Sequence, residues 1–184
     1  DSDRTRSQST TGSAKAINSQ PFLCEYSQGQ VAVAHNGNLI NASLLRDEDE
    51  AYGSIFKSTT DTEIITHLLS KPTHVSNPDP LAHVLNHLQG AYSLLFLFSD
   101  RIEAARDPYG IRPLCVGQTE NGAYIVASES CAFDAIGAKF IREVEPGEIV
   151  RLDKNGMTSR FFVKQGTITP AHCIFEHIYF AKQS

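Results

Sequence analysis

The sequence predicts an α+β fold, with helices concentrated in its first half and a mainly antiparallel sheet in its second. Two patterns support this prediction. Segments 42–53, 59–72 and 77–90 have helical composition and recognisable start and stop signals. Beyond them, short apolar runs follow one another closely, without the β–α alternation of a doubly wound fold.

The predicted helices carry boundary residues of familiar types. Thr60 and Glu63 have the spacing of a capping box at the start of the second helix. Asp79 and Pro80 are the predicted cap and first residue of the third helix, and Gly90 follows its end.

The strand predictions rest on apolar runs between turn residues. The run 29–35 is rich in Val and Ala, and 91–98 is apolar throughout, as expected for a strand covered on both faces. The segment 147–163 predicts a hairpin with Asn155-Gly156 in the turn.

Composition excludes several classes of function. The chain has 184 residues, enough for one domain, and a net charge of -5, which predicts no nucleic-acid partner. No apolar run approaches the roughly 20 residues of a spanning helix, so we expect no membrane partner. The four cysteines are widely spaced and lack a Cys-x-x-Cys pair, which favours reduced thiols and a cytoplasmic location.

The stretch 34–41, AHNGNLIN, is the first candidate site. The side-chain amide of Asn36 and the backbone N–H of Gly37 are two donors that could converge on one oxygen, as in an oxyanion hole. Asn-Gly is also a common tight-turn dipeptide, and the residues alone favour a strand-ending turn.

Three further motifs have a structural and a functional interpretation. Asp61 could complement the dipole of the second helix or hold a ligand ammonium group, and the residues alone favour the former. Arg106 and Asp107 could form an ion pair that braces the loop 106–114. Ser128 and Glu129 are predicted to cap a short helix. No nucleophile elbow, P-loop or His-Glu-x-x-His motif occurs.

Taken in order, the motifs resemble the glutaminase domain of the amidophosphoribosyltransferase family, a branch of the class II glutamine amidotransferases. The resemblance covers nearly the whole chain and is carried by these stretches: STTG, NSQPF, VAHNGNLIN, TTDTEII, GAYSLLFL, ARDPYGIRPLCVG, ASESCAF, REVEPGEIV and CIFEHIYFA.

The resemblance implies an N-terminal-nucleophile fold, a four-layer αββα sandwich of two antiparallel sheets between helices. It also implies an enzyme that hydrolyses glutamine and supplies ammonia for making 5-phosphoribosylamine from phosphoribosyl pyrophosphate, the first step of purine synthesis. The family's nucleophile is an N-terminal cysteine whose α-amino group acts as base.

The family's functional residues map onto this sequence in part. The resemblance makes Asn36 and Gly37 the oxyanion hole and Asp61 the partner of the glutamine ammonium group. Arg6 is the candidate for the glutamine carboxylate, although one extra residue precedes Ser9. The chain begins at Asp1, so the nucleophilic cysteine is absent from it.

We therefore expect residues 1–184 to be a partial glutaminase domain, incomplete at its N-terminus and inactive alone. The phosphoribosyltransferase domain, with its Mg²⁺ site, is expected outside this chain, and the complete enzyme is expected to be a homo-oligomer. Cys173 is either one ligand of a 4Fe–4S cluster or a buried structural cysteine. The alternatives are another class II amidotransferase, such as glucosamine-6-phosphate synthase, and a glutamine-binding homologue without a nucleophile.

Overall fold

Two antiparallel sheets pack face to face in the computed structural model, which describes residues 18–164. One sheet has six strands and the other has three. Every pair of neighbouring strands in the described residues is antiparallel.

The six-stranded sheet has the strand order β1-β2-β3-β4-β8-β9, and the three-stranded sheet has the order β6-β5-β7. The strands are β1 Phe22–Tyr26, β2 Gly29–Leu39, β3 Gly90–Phe98, β4 Arg101–Arg106, β5 Cys115–Gln118, β6 Tyr124–Ala127, β7 Lys139–Glu143, β8 Glu148–Asp153 and β9 Gly156–Phe161. The helices are α1 Ala42–Ala51, α2 Asp61–Ser70, α3 Pro72–Val75, α4 Pro80–Leu85 and α5 Cys131–Asp134.

The hydrophobic core lies in three layers, because alternate residues of a central strand face opposite sides. The first layer joins α1, α2 and α4 to the six-stranded sheet and includes Ile65, Leu94 and Phe96. The second layer lies between the sheets, and the third packs Phe133 of α5 on the three-stranded sheet. The chain is therefore an αββα sandwich, as the resemblance implied.

Most predicted elements are present, with differences at their ends. The third predicted helix is much shorter than 77–90, since α4 ends at Leu85, and Gly90 is the first residue of β3. The hairpin turn consists of Lys154 and Asn155, because Asp153 pairs directly with Gly156. β1 and β7 were not predicted.

A buried carboxylate organises the loop between β4 and β5. Asp107 is fully buried, and its oxygens accept hydrogen bonds from four backbone N–H groups. The donors and donor–acceptor distances are Tyr92 (3.3 Å), Tyr109 (2.9 Å), Ile111 (3.2 Å) and Arg112 (3.0 Å). The carboxylate thus fixes the conformation of the whole turn.

The guanidinium of Arg106 completes this brace from the other side. It donates to the carbonyl oxygens of Arg112 at 2.7 Å, Gly110 at 3.0 Å and Val144 at 2.8 Å. The predicted brace is confirmed, but the predicted ion pair between Arg106 and Asp107 is wrong. Arg106 forms its ion pair with Glu143 instead, at 3.2 Å. Most bonds of both side chains go to backbone groups, because those groups are buried with them and need partners.

The start of α2 is held by two side chains. The Thr60 hydroxyl caps the helix by accepting a hydrogen bond from the Thr62 N–H at 3.0 Å. Glu63 does not return the bond to Thr60 as a capping box would. Its carboxylate instead accepts bonds from the Lys57 N–H and from the N–H and hydroxyl of Ser58. Burial raises the pKa of Glu63, but these three bonds outweigh it and leave the pKa below its ordinary value.

Replacing Asp107 with Asn should destabilise the fold by at least about 3 kcal/mol, because Asn has one acceptor oxygen and places an NH2 group among backbone donors. Urea unfolding would measure the loss. Asp100→Asn is the matched control, since Asp100 is exposed and accepts a bond from Arg101 at the surface. Equal midpoints for the two variants would contradict the assigned role of Asp107.

Glu63→Gln should lower the free energy of unfolding by about 1–3 kcal/mol at pH 7. A carboxyl with a lowered folded-state pKa stabilises the fold above its unfolded pKa of about 4.3 and loses this contribution as pH falls through the folded value. The difference between wild type and variant should therefore shrink below about pH 4. Urea titrations at several pH values would test this, with Glu120→Gln, at an exposed turn, as control. A difference independent of pH would exclude the assigned role of the ionised carboxylate.

Candidate active site

The central candidate segment lies inside a strand. Asn36, Gly37 and Asn38 belong to β2 and pair with Ser93, Tyr92 and Ala91 of β3. The prediction of a strand-ending turn is therefore wrong, because β3 provides partners for four residues beyond His35.

Gly37 is required by the close approach of the two strands. Its φ angle is +151°, and a Cβ atom at this position would lie 2.1 Å from the carbonyl oxygen of Ala91 and 2.6 Å from the Cα of Tyr92. Both atoms are backbone and cannot move aside without breaking the sheet. Any other residue at position 37 would therefore disturb the pairing of β2 with β3.

Strand alternation sends His35 and Asn36 to opposite faces of β2. His35 is buried toward α2, whereas Asn36 is exposed on the face that carries the three-stranded sheet. There the side-chain amide of Asn36 donates to the Ser128 hydroxyl at 3.1 Å. This contact joins the two sheets across 92 residues of sequence.

The backbone N–H of Gly37 points away from β3. Tyr92, which lies opposite Gly37, directs both its backbone groups to Asp107: its carbonyl accepts at 2.9 Å and its N–H donates at 3.3 Å. In an antiparallel ladder, two directly opposed residues either bond to each other through both backbone groups or both point these groups away from each other. The Gly37 N–H is therefore directed at the β1 edge of β2.

That edge continues past the described end of β1. The first residue of β1, Phe22, pairs with Val33, and the next outward N–H group, that of His35, donates to the Gln20 side chain at 2.6 Å. The Gly37 N–H is one step further along. The side-chain amide of Asn36 and the backbone N–H of Gly37 are thus donors on neighbouring residues of β2, in the part of β2 that extends beyond its pairing with β1.

Asp61 lies on the helix side of the same segment. It is the first residue of α2, and its carboxylate accepts bonds from His35 Nδ1 at 3.2 Å and from the Leu39 N–H at 3.3 Å. Because an ionised carboxylate only accepts, His35 carries its proton on Nδ1. The carboxylate is mostly buried, at 8% exposure, and sits at the positive end of the α2 dipole.

Sequence reasoning missed three of these contacts. His35 was not assigned a partner, Gln20 was given no role although it lies in the stretch NSQPF, and Ser128 was predicted to cap a helix. Instead, α5 begins after Ser130 and has no side-chain cap. The sequence did contain a signal for His35. Alternation along the strand places it on the buried face, where a polar side chain needs a partner.

The three described cysteines do not have the environment of a nucleophile. Burial raises the pKa of Cys115 to about 11 and also raises the pKa of Cys24. Cys131 is exposed, and the hydrogen bond to Glu129 raises its pKa. A reactive thiol needs a lowered pKa. Arg6 and Cys173, the other candidates, lie outside the described residues.

Comparison with known proteins supplies the family. The protein-family model described as the glutamine amidotransferase domain matches residues 7–135 of this chain. The chain is 47% identical to the chloroplastic amidophosphoribosyltransferase of Glycine max over 174 residues, which cover 94% of this chain and 30% of that protein. The amidophosphoribosyltransferase of Bacillus subtilis is 41% identical over 174 residues, which cover 94% and 36%. The chain spans about a third of the length of these relatives.

Solved structures agree with this similarity. Glutamine phosphoribosylpyrophosphate amidotransferase from B. subtilis, complexed with ADP and GMP, superposes with a TM-score of 0.81 and 42% identity, over 88% of this chain and 35% of that one. A class-II glutamine aminotransferase domain protein from Silicibacter pomeroyi, 16% identical over 73% of this chain and 67% of that one, shares the fold with a TM-score of 0.53.

The described helices include none that is long and apolar enough to cross a membrane. The family model covers more than half of the sequence, and its match includes both the β2 segment and Asp61. The chain belongs to the glutamine amidotransferase domain family.

Proposed function

We propose that this chain is the glutaminase part of an amidophosphoribosyltransferase, and that Asn36 and Gly37 form its oxyanion hole. The observation that carries the proposal is the pair of adjacent donors beyond the end of β1, in a chain 47% identical to such an enzyme over 94% of its length. The length of this similarity favours the amidophosphoribosyltransferase branch over a glucosamine-6-phosphate synthase.

The reaction assigned to the site is hydrolysis of the glutamine carboxamide. A thiolate attacks the carboxamide carbon, the negative charge moves to oxygen, and ammonia leaves with the proton taken from the thiol. Water then cleaves the thioester to glutamate. Donors aimed at the developing oxyanion stabilise this transition state more than the substrate, and one such donor contributes about 3–4 kcal/mol.

The fixed position of these donors supports their role. Gly37 cannot shift without breaking its pairing with Tyr92, and the Asn36 amide is oriented by Ser128. Donors held in place before the reaction avoid the cost of reorienting during it. The nucleophile is proposed to be the N-terminal cysteine of the family, since Cys24, Cys115 and Cys131 have raised pKa values.

Asp61 is proposed to bind the glutamine α-ammonium group. An ionised carboxylate offers about four acceptor positions, and the two bonds from His35 and Leu39 leave capacity for a third donor. These two bonds also fix the orientation of the carboxylate. Arg6 is the proposed partner of the substrate carboxylate.

The ammonia is proposed to react with phosphoribosyl pyrophosphate in a separate domain of a longer, homo-oligomeric protein. Its iron–sulfur cluster and Mg²⁺ stay predictions: in residues 18–164 the cysteines form no ligand group, and Cys173 lies outside. Thiols at Cys24, Cys115 and Cys131 support a reducing compartment. The cytoplasm stays a prediction, because plant relatives are named chloroplastic.

Asn36→Asp should lower glutaminase kcat by about 10²- to 10³-fold, because it replaces a donor with an anion facing the developing oxyanion. The assay is glutamate release by the natural polypeptide that carries this sequence. Asn155→Asp makes the same chemical change in the exposed β8–β9 turn and should retain activity. Unchanged turnover in a folded Asn36→Asp variant would contradict the oxyanion role.

Asp61→Asn should raise KM for glutamine at least about tenfold, because the variant loses a charge-assisted bond to the ammonium group. Glutaramate, which is glutamine without the α-amino group, separates this role from a structural one. Wild type and variant should hydrolyse glutaramate equally if the lost contact is to the ammonium. Equal losses on both substrates would show that Asp61 acts only through His35 and Leu39. Asp47→Asn, on the exposed face of α1, is the control.

A further inference from the structure

Three histidines meet where α3 and α4 contact each other. They are His74 of α3, His83 of α4 and His87, one turn beyond His83. One ring nitrogen from each lies within 4.8 Å of the others. The ring centroids are 4.8 to 5.0 Å apart. This is the only such group of potential metal ligands within residues 18–164.

His87 is already oriented as a ligand. Its Nδ1 lies 2.8 Å from the carbonyl oxygen of His83, which can only accept a hydrogen bond. Nδ1 therefore carries the proton, and in the neutral ring Nε2 keeps its lone pair. A backbone carbonyl bound to one imidazole nitrogen is the usual second partner of a metal-binding histidine.

His74 provides an independent sign of a missing partner. Its side chain is only 7% exposed, and its Nδ1 is buried without a hydrogen-bond partner in the described part of the chain. Buried polar atoms are normally satisfied, so such an atom needs an explanation.

We propose that His74, His83 and His87 bind one divalent transition-metal ion, with Zn²⁺ as the expected occupant. Imidazole nitrogens suit zinc, and three protein ligands leave a fourth position for water. Tetrahedral zinc places its nitrogen ligands about 3.3 Å apart, so the rings must close by roughly 1.5 Å. His87 is exposed and His83 half-buried, so side-chain rotation can supply this movement.

The bound ion would join α3 to α4 across the turn that connects them. α4 is also tied to the six-stranded sheet, since its cap Asp79 pairs with Arg160 of β9. The proposed site is therefore structural, and it is independent of the glutaminase chemistry.

The test is metal uptake by the natural polypeptide after treatment with a chelator. Wild type should bind one Zn²⁺ that His87→Gln does not bind tightly, and its thermal midpoint should rise with added Zn²⁺. Removing a group that hydrogen-bonds to a metal ligand weakens metal binding about 10- to 100-fold. Removing the ligand itself should therefore weaken binding at least about 100-fold. His67→Gln, which removes a histidine of α2 outside the group, should bind like wild type.

Co²⁺ substitution identifies the ligands directly. The expected spectrum is that of a nitrogen- and oxygen-coordinated ion, and it should disappear in His87→Gln. A thiolate charge-transfer band that persists in the variant would assign the ion to cysteines and overturn the proposal. Absence of zinc uptake by wild type, or equal affinity in wild type and His87→Gln, would also overturn it.

Discussion

The buried carboxylate of Asp107 is the constraint on which the rest of the structure depends. It accepts hydrogen bonds from four backbone N–H groups, and one of them belongs to Tyr92 of β3, the strand that pairs with the site segment of β2. Arg106 satisfies the carbonyls of the same loop. This loop is where the chain leaves the six-stranded sheet for the three-stranded one. Asn36 and Ser128 make contact from one sheet to the other. Their contact therefore depends on how the loop held by Arg106 and Asp107 connects the two sheets.

The candidate site uses the two faces of a single strand for different purposes. On the helix side, His35 and Asp61 form a buried pair that also holds the end of β2 through Leu39. On the other side, Asn36 stays exposed and is oriented by Ser128. Buried polar groups are costly unless they are satisfied, which explains why the supporting residues lie inside and the donor to the proposed oxyanion lies at the surface.

The helical layer links this site to the histidine group. α2 carries Asp61 at its first residue, packs on β2, and also contacts α3 and α4, which carry His74 and His83. A restraint between α3 and α4 would therefore act on the layer that supports Asp61. The two sites share a scaffold but no residue, so each can be removed without removing the ligands of the other.

The sequence by itself determined the features that depend on neighbouring residues. These include the α+β class, the apolar β3, and the caps Thr60 and Asp79, because periodicity and capping act within a few positions. Tertiary structure decided the rest. β2 continues through Asn36 because β3, more than 50 residues later, pairs with it. Arg106 and Asp107 bind backbone rather than each other, since folding buries carbonyls and N–H groups beside them. Packing decides which distant donors and acceptors meet, and the local sequence pattern does not contain this information.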